Sequence, residues 1–217
     1  MTRTASLAAA AAAAALCLVA ADAAFAHGER LPDAELLAAD TTAIITDPAD
    51  PRLDDPLVGF KRKVKRIIRR HGGVPRGSQL LDGVFFSSIL GFTTLQRSRD
   101  FDVDCVSRAE LHDIADRVRR RFRQQSVLTF DYPEHRGDPV DAVEVEVPGL
   151  DAQQLRDGFA VDAEARERLQ GGSVTLDGRL ILIAGLEAVP LVARFVTEIG
   201  GNFDDATIRR GRREFVG

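Results

Sequence analysis

Asp100, Asp102 and Asp104 stand at every second position of the stretch RSRDFDVDCVSRAEL, residues 97 to 111, with Cys105 directly after them. Alternate residues of a strand share one face about 7 Å apart, so this spacing gathers three carboxylates into a possible oxygen-ligand set for a hard cation such as calcium. A calcium loop of the D-x-D-x-D-G-x5-E type needs glycine where Cys105 stands and a bidentate acid where Leu111 stands. A strand running into a helix accounts for the same letters. Phe101, Val103 and Cys105 alternate with the aspartates, and Ser107 with Glu110 forms an S-x-x-E capping box. On that reading the aspartates face water, with Arg97, Arg99 and Arg108 near enough in sequence to neutralise them, and Cys105 is a small core residue rather than a nucleophile. His112 is the imidazole that could join the aspartates in a small hydrolase or metal-dependent enzyme. The polar loop 131 to 138, DYPEHRGD, offers Asp131, Glu134, His135 and Asp138 as a second acid and base set.

The leader MTRTASLAAAAAAAALCLVAADAAFAHG has one early basic residue, an apolar run and small residues at Ala24 and Ala26. This is the layout of a secretory signal peptide over residues 1 to 26, which predicts export to the periplasm or the extracellular space. No transmembrane segment is expected after its removal. Cleavage after Ala26 would make His27-Gly28 the new N-terminus. That dipeptide resembles the start of secreted copper monooxygenases with a histidine brace, and the resemblance implies copper held by the amine and imidazole of His27. It covers only the residues around the cleavage site. No other cofactor is expected, because no P-loop, H-E-x-x-H, G-x-S-x-G, C-x-x-C or dinucleotide glycine fingerprint occurs.

The net charge of −4 hides a segregation of sign. Lys61, Arg62, Lys63, Lys65, Arg66, Arg69 and Arg70 crowd one helix-length segment, and further basic runs lie at 117 to 123 and 209 to 213. An amphipathic basic helix can meet an anionic envelope surface or an acidic protein, while nucleic acid is not an expected partner of an exported chain. The leading functional reading is therefore a non-enzymatic exported protein that binds through residues 57 to 70. The metal-dependent enzyme or hydrolase is its alternative.

These residues need elements to position them. The Ala-, Asp- and Pro-rich segment 27 to 56 reads as a linker or arm. A helix follows, with Asp55 as N-cap, Pro56 at the first position and Gly72 as the stop. Strands are expected at 83 to 95 with a bend at Gly91, at 100 to 105, at 126 to 132 and at 142 to 147, where Val143, Val145 and Val147 oppose water-facing Glu144 and Glu146. Helices are expected at 108 to 124, after caps at Asp151 and Asp162, and around Pro190, with a hairpin at Asp177-Gly178. Residues 204 to 217 read as a loosely held basic tail. No internal repeat is visible. The interleaving predicts one α+β domain over 57 to 203, a two-layer sandwich, ferredoxin-like in spirit, with helices on one face of a mixed or antiparallel sheet.

Overall fold

The computed structural model describes residues 31–133 and 137–217. The leader, His27, Glu134 and His135 lie outside them. Nine strands are present among the described residues: β1 Ala34–Ala39, β2 Val74–Pro75, β3 Gln79–Ser87, β4 Phe92–Asp104, β5 Val127–Asp131, β6 Ala142–Pro148, β7 Gly171–Thr175, β8 Arg179–Gly185 and β9 Thr207–Val216. Five α-helices accompany them: α1 Val58–Arg70, α2 Arg108–Phe122, α3 Ala152–Val161, α4 Ala163–Arg168 and α5 Val189–Glu198. None of these helices is long and apolar enough to cross a membrane.

The strands pair in the order β1-β5-β9-β6-β8-β7-β3-β4, and β4 pairs back onto β1, so eight antiparallel strands close into a barrel. The two-residue β2 extends the β3 side of β4. This corrects the expected open two-layer sandwich. Closure is made by the two segments that composition marked as loose. Strand β1, inside the presumed arm, pairs on both sides, with β4 and β5. Strand β9, inside the presumed tail, bridges β5 and β6.

The closed sheet contains a topological repeat. Residues 34 to 131 run β-α-β-β-α-β with sheet order β5-β1-β4-β3, and residues 142 to 216 repeat that course with order β9-β6-β8-β7, two short helices replacing the first one. The halves are joined by the β5–β9 and β3–β7 ladders.

Each half packs its helices on the outer face of its own strands. Phe60, Val64 and Ile68 of α1 and Ile114 and Val118 of α2 meet Leu36, Phe101 and Val103. In the second half Leu155, Phe159, Val192 and Phe195 meet Val143, Val145, Leu180 and Leu182. Strand alternation then turns the intervening residues into the barrel. An eight-stranded barrel is just wide enough for side chains to fill it.

Local signals read from sequence are formed as expected in several places. Ser107 and Glu110 make the capping box of α2, and Asp151 with Gln154 makes that of α3. Gly91 and Gly178 adopt positive φ of 74° and 79° at hairpin turns. Helix α1 begins differently from expectation, since its N-cap is Leu57 in a left-handed conformation rather than Asp55.

Candidate functional site

The polar residues of the barrel interior converge at the end where β1 begins and β4 and β5 finish. Phe101 and Val103 face the helices, so Asp100 and Asp102 face the lumen, and Glu35 lies opposite Asp102 on the neighbouring strand. Val143, Val145 and Val147 face outward, so Glu144 and Glu146 face inward, opposite Arg209 and Thr207 of β9. The wet faces assigned to both strands from their alternation are therefore corrected. Glu144 is 1% exposed, Asp100 2% and Glu35 7%.

Hydrogen bonds link these groups almost completely around the lumen. The Tyr132 hydroxyl lies 2.7 Å from Glu35 Oε1 and 2.5 Å from Glu144 Oε2. Arg209 donates to Glu144 at 3.0 Å and also to Glu146. Glu146 accepts from Arg179 at 2.7 Å, Arg179 donates to Gln79 Oε1 at 3.1 Å, and Gln79 donates to Asp100 Oδ2 at 3.1 Å. The ring would close between Asp100 and Glu35, where two acceptors face each other.

Charge in this ring follows from burial and neighbours. Burial, and after it the nearby Asp100, pushes Glu35 up to about 8. Burial followed by Asp102 pushes Asp100 up to about 8. Glu144 is raised by burial and by Glu35, whereas Glu146 is held low, its burial outweighed by hydrogen bonds from Glu144 and Arg209 and by the Arg209 and Arg179 charges. The pair thus favours the proton on Glu144 and the charge on Glu146. Geometry says the same of Tyr132, because one hydroxyl proton cannot serve two carboxylates, and one of its acid partners must bring its own.

The other sequence candidates are scattered. Asp104 shares the inward parity but is bound elsewhere, ion-paired to Arg76 and accepting from the Asp33 N–H at 3.1 Å. Arg97 and Arg99 are on the opposite face of β4, donating to the Asp55 and Pro56 carbonyls, so they cannot neutralise Asp100. Arg108 is near Glu214 instead. His112 lies on the outer surface with Nδ1 2.9 Å from Glu214, apart from the aspartates it was to assist. Cys105 is half-buried at a turn with φ 57° rather than in the core. Asp131 faces outward, while its neighbour Tyr132 reaches the ring.

The cations of α1 are exposed or half-buried and wind around its solvent side. A pocket of about 370 Å³ lies at the polar end of the barrel, lined among others by Asp33, Ser107, Arg108, Asp131, Tyr132 and Arg212. Tyr132 is therefore both a wall of this pocket and the bridge between Glu35 and Glu144.

No family model and no curated protein matches the chain. Its likenesses are to solved structures. A "putative monooxygenase" from Lactobacillus acidophilus NCFM is similar at TM-score 0.27 and 13% identity, over 87% of this chain and 98% of the other. A second chain of that description, from Fusobacterium nucleatum subsp. nucleatum, is similar at TM-score 0.22 and 9% identity, over 88% and 94%. Values of this size do not define a shared fold or reaction. The α+β sandwich expected of an exported binding protein is corrected by the sheet itself, which is a closed barrel.

Proposed function

We propose that this chain is an enzyme acting on a small polar molecule seated in the pocket beside Tyr132. The observation that carries the reading is the double position of Tyr132, whose side chain lines the pocket and whose hydroxyl joins two buried carboxyl groups. A pocket of about 370 Å³ is of ligand size, since small-molecule sites run from about 300 to 1,000 Å³. Its lining carries both signs of charge, with Arg108 and Arg212 against Asp33 and Asp131, which suits a polar rather than an apolar guest.

Stability alone does not explain the ring behind it. Buried ion pairs are commonly no better for stability than apolar side chains of similar volume, and the outer faces of the same strands are filled with Val, Leu and Phe. The alternative reading as a metal-dependent enzyme built on Asp100, Asp102, Asp104 and His112 keeps only Asp100 and Asp102 of its members in one place.

A thermal-shift screen of amino acids, hydroxy acids and small phosphate esters, followed by assay of the binders for conversion, tests the proposal. Arg212→Met should weaken a binder at least about tenfold. Tyr132→Phe should bind it within about threefold and lose conversion. A screen without binders, binders indifferent to Arg212→Met, or normal conversion by Tyr132→Phe would overturn it.

A further inference from the structure

The gap in the lumen ring is the part of the molecule that its own hydrogen bonds leave unfinished. Glu35, Asp100 and Asp102 each offer a carboxylate oxygen there, and the three oxygens lie within 4.8 Å of one another. They come from neighbouring strands, with Glu35 directly opposite Asp102 and Asp100 one inward position along β4. The placement is built into the ladder register rather than left to a surface loop.

A cluster of acids alone would say little. The independent observation is Asp100 itself: the side chain is 2% exposed, Gln79 satisfies Oδ2, and Oδ1 has no hydrogen-bond partner among the described residues. Leaving such an oxygen buried and unmade is costly, so a native site normally supplies a partner. Donors are present nearby but are engaged. Arg179 is held by Glu146 and Gln79, Arg209 by Glu144 and Glu146, and the Tyr132 hydroxyl by Glu35 and Glu144.

We infer that a hard divalent cation binds between Glu35, Asp100 and Asp102 and completes the lumen ring. The donors are all carboxylate oxygens, which select calcium, manganese or magnesium over the softer metals that prefer imidazole or thiolate. Coordination flexibility favours calcium. Calcium accepts six to eight oxygens in flexible geometry and so tolerates a set fixed by strand register, whereas magnesium demands a near-ideal octahedron and gives up its waters reluctantly.

The inference stands on the ring geometry and does not require that the Tyr132 pocket hold a substrate. Its test therefore reads metal binding and not turnover. Chelated, dialysed protein is titrated with CaCl2, MnCl2 and MgCl2 by calorimetry and by thermal unfolding at neutral pH. Calcium should bind at one equivalent and raise Tm by several degrees, with a smaller response to magnesium. Asp100→Asn and, independently, Glu35→Gln should weaken calcium at least about tenfold while the proteins remain folded by circular dichroism. Should wild-type protein show no saturable binding of any of the three cations, a proton fills the gap and the inference fails. Retention of wild-type calcium affinity by whichever variant folds would overturn it equally.

Discussion

Glu144 and Glu146 are two positions apart on one strand, yet their carboxyl groups are pushed in opposite directions, Glu144 toward keeping its proton and Glu146 toward losing it, because of what lies beside each. Glu144 shares a lumen position with Glu35 and the Tyr132 hydroxyl, while Glu146 receives both Arg179 and Arg209. Removing the charge of one should therefore differ from removing that of the other. Glu144→Gln replaces a neutral acid by a neutral amide and should stay within about 1 kcal/mol of the parent at pH 6. Glu146→Gln takes the carboxylate charge from Arg179 and Arg209, leaving them Gln79 and Glu144 as partners, and should cost about 2 kcal/mol, as losing hydrogen bonds to a charged group does. Urea unfolding of the two variants measures the contrast, and equal losses would contradict the assignment. These roles were not legible in the sequence. A water-facing strand and a lumen-facing strand carry the same alternation, so AVEVEV could not say which of the two its glutamates met.

Helices and turns were the most readable scale, because their causes are local. Ser107, Glu110, Asp151, Gln154 and Gly178 each act within a few residues of their own position, and each does what its neighbours require. Strands β1 and β9 were missed for the opposite reason. Alternation is short in AELLAA and confused by four arginines in TIRRGRREFV, and what fixes both is pairing with residues far along the chain. The same holds for the site, where Tyr132 meets Glu35 across 97 residues and Arg179 meets Gln79 across 100. Two substitutions probe the local scale. Ser107→Ala removes a cap that accepts from the Glu110 N–H and should cost about 1 kcal/mol. Arg123 closes α2 with a left-handed φ of 56°, so Arg123→Gly should gain about 0.5–1 kcal/mol. Chemical denaturation reads both, and a shift of the opposite sign in either would show that the cap is not what governs that helix end.

At the level of the whole molecule, the buried acids set how stability answers pH. Unfolded, Glu35 and Asp100 release their protons near their ordinary values of 4.5 and 3.8, but in the folded barrel they keep them to about 8. The folded state therefore holds more protons between those limits, and stability falls as pH rises through the window. Glu110, held low by its Ser107 hydrogen bonds, works in the other direction and loses its contribution only under more acid conditions. With chelator present, the urea midpoint should be highest near pH 5 and decline steadily to pH 8. A midpoint that rises over that range would mean the lumen acids are ionised throughout.

The twice-used β-α-β-β-α-β course has a consequence for the chain cut in two. Residues 34 to 131 alone would expose β5 at one border and β3 at the other, and residues 142 to 216 would expose β9 and β7. Bare borders seek partners. Since the two halves occupy equivalent places in one ring, a single half supplied twice has the connectivity to build the whole circle by itself. Expressed without its sequel, the first half should sediment as a pair and not as a monomer; the barrel is in effect a dimer whose subunits share one peptide chain.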